Sequence, residues 1–403
     1  MQHTWNFSSA GHLIFGSGAA RRLGPELTQR SVRRVSIITD RTLMAAGVVE
    51  PILQSLADAD IETYTFDGGQ PEPSIELVET AAQQVGEFTP DAILGLGGGS
   101  NMDVAKMAAA IVTHGGSPRD YFGTEKVPGP VLTLVCVPTT AGTGSEVSGA
   151  SVLSDTENEV KVAGLSRFLR PSLALVDPEL TVTCPATVTA DSGIDALTHA
   201  IEAYTCIDYR KIHARIPAGE ISPFDGNHPL GDCLAEKAIQ LIGQHLVTAV
   251  KEPDNLPARE GMALAATIAG MAFATCGVAL VHALEYPLGG ALHVSHGAGN
   301  GLLLPYVMQF NLPTRLSRFA HIAQLLGVDT AELTEQQAAE QAVNAVVRLK
   351  SNIGIPTGLR DIGATEEMLP TFAKKSFAIK RLLQTNPRDA SEEDILSILQ
   401  TAF

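Results

Sequence analysis

Asp195 and His199 stand four residues apart in the run Asp191-Ser-Gly-Ile-Asp195-Ala-Leu-Thr-His199. On a helix that spacing puts both side chains on one face. One such pair is an ordinary surface feature, but two further histidines change its meaning. His282 lies in an uncharged stretch of Ala, Leu and Val, and His296 follows in Leu292-His293-Val-Ser-His296-Gly297. A buried imidazole or carboxylate needs a partner, and three histidines with one aspartate can hold a divalent metal. The set has no thiolate and accepts Fe²⁺, Zn²⁺, Co²⁺ or Ni²⁺ without choosing among them. An open coordination position would make such an ion catalytic, as a Lewis acid on a carbonyl or alkoxide oxygen. His293 reads as a structural or outer neighbour of the set.

A second constellation lies upstream. Leu94-Gly95-Leu96-Gly97-Gly98-Gly99-Ser100 follows an apolar run and opens a helical pattern at Asn101. Glycines let the backbone approach a ligand, and free N–H groups at a helix N-terminus suit a pyrophosphate. The alternative is a tight strand–helix turn with no ligand. The pattern is not GxGxxG, since Ser100 holds the place of the third glycine, and no GKS or GKT follows. The carboxylate that would meet a ribose is also displaced. Asp40 precedes the glycines, whereas a Rossmann unit places it roughly 20 residues after them. Pro138-Thr139-Thr140-Ala141-Gly142-Thr143-Gly144-Ser145-Glu146 supplies further hydroxyls and N–H groups directly after the most apolar run.

These residues need a framework. Residues 34–39, 62–66, 92–96, 131–137, 148–153 and 173–176 read as strands, alternating at first with helical patterns at 44–56, 75–88 and 101–113. The 131–137 run shows almost no polar alternation, as expected of a strand buried on both faces. After Pro185 the pattern is helical, at 187–204, 232–250, 258–284, 302–310, 315–326, 335–352, 366–376 and 392–402. Thr334 with Gln337, and Ser391 with Asp394, fit capping boxes. The expected division is an α/β nucleotide-binding domain over residues 1–185 and an all-α metal-binding domain over 186–403. Between two helices, residues 206–231 carry enough Pro and Gly to read as a long irregular loop.

Composition excludes several classes. Lys+Arg 28 against Asp+Glu 44 gives a formal charge of -16, which disfavours nucleic acid and polybasic membrane anchoring. Hydrophobic content of 45% with 18% charged residues fits a folded protein. The five cysteines are scattered, with no CxxC, and read as reduced thiols. Residues 261–284 carry no charge, yet their Ala, Gly, Thr and Met read as a tightly packed helix and not a membrane span. The opening residues show no signal-peptide pattern, so the expectation is a cytoplasmic protein.

Taken in order along the chain, the motifs resemble the iron-containing (group III) alcohol dehydrogenases, which share the dehydroquinate synthase-like fold. The residues that carry the resemblance are Phe15-Gly16-Ser17-Gly18, Gly97 to Lys106, Pro138 to Glu146, Gly193 to Glu202, His282 to Gly289, His296-Gly297 and Asn386-Pro387-Arg388. The resemblance implies that Asp195, His199, His282 and His296 are metal ligands, for Fe²⁺ first and Zn²⁺ second. It implies that Gly97, Gly98, Gly99 and Ser100 form the pyrophosphate loop and that Asp103, Thr139, Thr140, Thr143 and Lys161 belong to the cofactor cleft. Asp40 matches the adenosine-ribose contact, and a carboxylate there would repel a 2′-phosphate, so NAD is expected over NADP. A homodimer is expected from the same resemblance.

One departure stands out. Many family members carry a histidine four residues after the ligand matching His282, suspected of relaying the alcohol proton. Here that position is Tyr286. Its phenol can donate and accept a proton, but its ordinary pKa near ~10 makes it a poorer relay at neutral pH.

The expected function is interconversion of an alcohol with an aldehyde or ketone by hydride transfer. Tyr286-Pro287 and Phe224-Asp225-Gly226-Asn227-His228-Pro229 also resemble the hydroxyacid–oxoacid transhydrogenase branch, where Arg210, Lys211 or Arg215 would bind a substrate carboxylate. A dehydroquinate synthase-type cyclase is more distant. Polyanionic substrates call for Lys and Arg, and residues 191–202 and 281–297 contain none.

Overall fold

The computed structural model describes residues 4–157 and 160–403. It divides into two compact units, one over Ser8–Cys184 and one over Pro185–Phe403 joined by the segment ahead of Ser8. Each is built by different rules.

The first unit is α/β. Its main sheet contains β1 (Leu13–Phe15), β2 (Arg34–Ile38), β3 (Glu62–Phe66), β4 (Ala92–Gly97), β6 (Thr133–Pro138) and β9 (Leu173–Val176), in the order β1-β9-β6-β4-β2-β3. All its pairings are parallel. Parallel strands need crossover connections, and those put helices on both faces. Val35, Ile37, Leu94 and Leu96 accordingly pack with Leu23, Leu27, Ile52 and Leu56 on one face. Ile38, Ile93 and Leu134 pack with Val78, Val85, Val104 and Met107 on the other. This double burial explains the unbroken apolar runs.

A second sheet of three strands joins β5 (Gly123–Thr124), β8 (Val160–Leu165) and β7 (Ala150–Asp155). Neither β5 nor β8 was marked by a strand pattern. Gly-Thr is too short, and Val-Lys-Val-Ala-Gly-Leu mixes polar and small residues. The expected helix over 44–56 is two helices, Arg41–Ala45 and Glu50–Ala57. Gly47, at φ +71°, breaks it between them.

The second unit is helical. Ala186–Thr205 is buried along most of its length, packed by Pro229–Lys251, Leu256–Cys276 and His296–Asn311. The expected single helix over 258–284 is broken. Leu256–Cys276 and Leu280–Leu292 meet at a 105° bend. Gly277 adopts φ +103°, which few other residues tolerate. Glu202 then rewards the break, since its carboxylate accepts the Ala279 N–H at 2.8 Å and the Val281 N–H at 2.7 Å. A carboxylate at a helix N-terminus also meets the positive end of the dipole. Among the described residues no single helix is long and apolar enough to cross a membrane.

The loop over 206–231 is more ordered than expected. It contains the short helix Tyr209–Ile212, capped by Asp208, and a 3-10 turn at His213–Arg215. Ile207, Ile212 and Phe224 pack with Val278, Ala283 and Leu382 in a small core of their own. His228 ends the loop as the cap of Pro229–Lys251 and stacks on Trp5 at 4.2 Å. Both expected capping boxes form, at Thr334 and Ser391.

Candidate active site

Asp195 and His199 share a face of Ala186–Thr205, one turn apart. His282 stands in the first turn of Leu280–Leu292, and His296 is the first residue of His296–Asn311. Ala186–Thr205 thus meets two successive helices from some 75 residues further along the chain. Asp195, His199 and His282 are buried, with ligand atoms all within 4.8 Å of one another. His296 stands at the edge of this group, its side chain a third exposed and its Nε2 3.9 Å from Asp195 Oδ1. His293, by contrast, is exposed and ends Leu280–Leu292 in the left-handed conformation at φ +53°.

The histidines are oriented from behind. His282 Nδ1 meets Glu202 Oε2 at 2.6 Å, and His296 Nδ1 meets Glu285 Oε2 at 2.5 Å. A carboxylate at that distance accepts from a protonated Nδ1, which leaves the Nε2 lone pair facing inward. Burial pushes the Asp195 carboxyl up, but His199, His296, His282 and the Asn300 amide together hold it below its ordinary value. A buried carboxylate facing buried imidazoles, two of them with their inward lone pairs set by other carboxylates, has the donor chemistry of a divalent transition-metal site.

Glu202, Glu285 and Asn300 received no role from the sequence. Their spacings carried a signal: Glu202 follows His199 by three, Glu285 follows His282 by three and Asn300 follows His296 by four. On helices each lies one turn from a ligand. Phe273 completes the wall, stacked on His199 at 4.3 Å. Tyr286 stands beside His296 with ring centres 6.0 Å apart, and the Arg381 guanidinium lies 5.6 Å from the centre of the Tyr286 ring.

In the α/β unit, the glycine loop turns from β4 into the helix Gly99–His114. Gly98 precedes that helix, and no side chain caps its first amides. Gly97, at φ +144°, and its neighbours are pressed from both sides. A side chain at Gly97 would strike the Asn101 amide, and one at Gly99 would strike Thr143. The Thr139 N–H donates to Gly97 O at 3.0 Å. The structure therefore brings Gly97, Gly98, Gly99 and Ser100 together with Thr139, Thr140 and Thr143.

Asp40 joins them through Asn101. Its Oδ1 caps Arg41–Ala45 by accepting the Leu43 N–H, and its Oδ2 accepts Asn101 Nδ2 at 2.8 Å. Asp103 is instead spent inside the protein. It accepts the Ser145 hydroxyl at 2.7 Å and the Val152 N–H at 3.0 Å, with Lys106 Nζ 3.8 Å away. Lys106, wholly buried, donates to Ser145 Oγ, Ser148 Oγ and Ala150 O. Together they clamp the 139–145 loop to the helix Gly99–His114. Lys161 pairs with Glu72 at 3.0 Å, while Glu159 beside it lies outside the described residues. A cavity of about 510 Å³ in this unit, between Val48, Asp177 and Leu180, is lined by none of the expected cofactor residues.

Two of the three Arg and Lys side chains of the 206–231 loop, those of Arg210 and Arg215, are also committed, whereas Lys211 remains a candidate. Arg210 folds back onto Asp208, while Arg215 donates to Asn386 O at 2.6 Å and pairs with Asp389 at 2.9 Å. Neither is poised for a substrate carboxylate.

Comparison with known proteins agrees with this geometry. A family model described as "Iron-containing alcohol dehydrogenase" matches residues 10–178, and "Fe-containing alcohol dehydrogenase family, C-terminal" matches residues 224–403. The chain is 36% identical to the NAD-dependent methanol dehydrogenase of Bacillus methanolicus, over 97% of each chain. The solved structure of a 1,3-propanediol oxidoreductase superposes with a TM-score of 0.93 at 36% identity, covering 100% of both chains. Sulfoacetaldehyde reductase from Bifidobacterium kashiwanohense, solved in complex with NAD+, gives 0.85 at 29% identity, covering 100% of this chain and 99% of that one. The chain is an oxidoreductase that belongs to the iron-containing alcohol dehydrogenase family.

Proposed function

We propose that this enzyme interconverts a small primary alcohol and its aldehyde using NAD, with a divalent ion held by Asp195, His199, His282 and His296. The observation that carries the reading is the buried convergence of Asp195, His199 and His282, backed by the Glu202 contact to His282. Iron(II) is the first expectation and zinc(II) the second. The relatives named for methanol and 1,3-propanediol support a small alcohol as substrate.

When bound, the ion supplies Lewis acidity toward the alcohol oxygen and the nicotinamide supplies the hydride acceptor. The chain's own residues do the rest. Asp195 brings the only carboxylate among the four proposed ligands. Glu202 and Glu285 keep His282 and His296 in the tautomer with Nε2 inward. Phe273 and Tyr286 flank the histidines and shed water from that side. Tyr286, beside the more exposed His296, is our candidate for carrying the hydroxyl proton away.

For the cofactor, Gly97 to Ser100 and the uncapped helix they open would take the pyrophosphate, with Thr139, Thr140 and Thr143 alongside. Asp40 would accept from the adenosine ribose and repel a 2′-phosphate, favouring NAD over NADP. Lys161 would extend this cleft, with Asp103 supporting it from inside. A homodimer in the cytoplasm belongs to the same reading, and the five free cysteines suit a reducing compartment.

The test is a pair of variants. His282→Ala should lose bound metal and lower kcat at least a hundredfold. Tyr286→Phe should keep its metal and lower kcat. Full activity in His282→Ala, with metal absent, would overturn the reading.

A further inference from the structure

Arg381 differs from the other partly buried arginines of the helical unit. Arg215, Arg315, Arg318 and Arg388 each donate to a backbone carbonyl or a carboxylate. Arg381 has no hydrogen bond and no ion pair among the described residues. Its guanidinium meets the Tyr286 ring, 5.6 Å from the ring centre. A cation–π contact at that range is weaker than an ion pair, and the planar fork of N–H donors matches a carboxylate.

The chain around Arg381 is held in place. Ile379, at φ −84° and ψ +62°, separates the helix Leu369–Ala378 from the short helix Lys380–Leu383. Leu382 is buried in a small core with Ile212, Phe224 and Ala283, and Ile379 and Leu383 pack against it. The Thr385 hydroxyl ties the turn down, 2.5 Å from Val278 O and 2.7 Å from Leu382 O. Phe273 and Tyr286 pack on the same core. Phe273 stacks on His199 and Tyr286 stands beside His296, so aromatic surface runs from the proposed metal ligands to the guanidinium. The local charge has the matching sign. Residues 368–388 hold Lys374, Lys375, Lys380, Arg381 and Arg388 and no Asp or Glu, in a chain whose formal charge is -16. Such a patch draws anions.

We propose that Arg381 binds a carboxylate at the far end of the substrate, so that the alcohol this enzyme selects is a short ω-hydroxy acid. The hydroxyl end lies at the histidines, the methylenes run along the Tyr286 ring, and the carboxylate takes the guanidinium fork. The carboxylate is a handle for binding and takes no part in the hydride transfer. This rests on the alcohol dehydrogenase reading above and narrows its substrate.

The experiment uses metal-loaded enzyme with NAD on a matched pair, 4-hydroxybutyrate and 1,4-butanediol, which share a carbon chain and one primary hydroxyl and differ at the far end. Wild type should oxidise the acid with at least a tenfold higher kcat/KM. In Arg381→Met the ratio of the two values should fall tenfold or more, through KM for the acid. Calorimetry should show 4-hydroxybutyrate binding to the NADH complex weakened by a similar factor. Arg381→Lys keeps the charge without the fork and should fall between the two. If Arg381 served only to hold Tyr286, both substrates would lose rate together, and a ratio within twofold of wild type would overturn the proposal. A wild-type ratio of one or less would overturn it without any variant. A fall in Lys211→Met with none in Arg381→Met would do the same. Wild type that oxidises neither substrate would sink the alcohol reading itself, whereas activity on the diol without preference for the acid sinks only the role of Arg381.

Discussion

The side chains with least contact with solvent carry the sharpest consequences. Burial pushes the Lys106 ammonium down and the Asp103 carboxyl up, yet each is met by the other and by hydroxyls and backbone groups. Lys106→Met removes one partner and strands the other, a change worth about 3–5 kcal/mol. Urea denaturation should show that loss, and NAD affinity should fall with it, because the 139–145 loop is released. At the end of β2, Asp40→Gly removes the charge expected to repel a 2′-phosphate. The ratio of kcat/KM for NAD over NADP should drop at least tenfold, whereas an unchanged ratio would exclude Asp40 from that role. Lys350 offers a pH test. Burial lowers its ammonium to about 8, against roughly 10.4 in the unfolded chain. Between those values the unfolded chain holds a proton that the folded protein has released, so the contribution of Lys350 to stability rises with pH. Wild type should gain on Lys350→Met as pH climbs from 8 to 10. A flat difference would mean that the lysine is not perturbed.

Helices place the metal set, and glycines decide how closely they meet. Gly297→Ala puts a methyl group against the Asp191 carbonyl, so His296–Asn311 must shift away from Ala186–Thr205. Zn²⁺ affinity should fall by at least tenfold while far-ultraviolet circular dichroism stays near wild type. Much of this layer was legible in the sequence. The strand 62–66 and the helix 335–352 lie where period and caps put them, because local patterns and burial agree there. Asp195 and His199 share a helix face, as their spacing of four expects. The break at Gly277 was not legible. The run on either side is uniformly small and apolar, so its pattern holds no trace of a bend made favourable by Glu202 some 77 residues upstream. Strand β8 was hidden for a similar reason, since its partners supply the pairing that its own residues do not announce. Asn300 was legible only in retrospect, as a polar residue one turn past His296. His282 and His296 joined the first pair as imidazoles that need a partner when buried, and the family resemblance then implied all four as ligands.

At the scale of the whole molecule, the proposed ligands fall on different units. Every proposed metal donor lies within Pro185–Phe403, and every proposed cofactor residue within Ser8–Cys184. A ligand that binds only the folded state stabilises the segment it touches. Zn²⁺ should therefore slow amide hydrogen exchange first in Ala186–Thr205 and His296–Asn311, and NAD in residues 97–106 and 139–148. Protection by NAD confined to the helical unit would contradict the assignment of the glycine loop. The claim on which all else depends is that alcohol oxidation by this chain requires the ion held at Asp195, His199 and His282. The most direct measurement is absorbance of NADH formed from a small primary alcohol and NAD, with enzyme stripped of metal and then resupplied with Fe²⁺ or Zn²⁺. The stripped enzyme should form no NADH, with steady formation once the ion is restored. NADH formed at the same rate before and after the ion is added would contradict it.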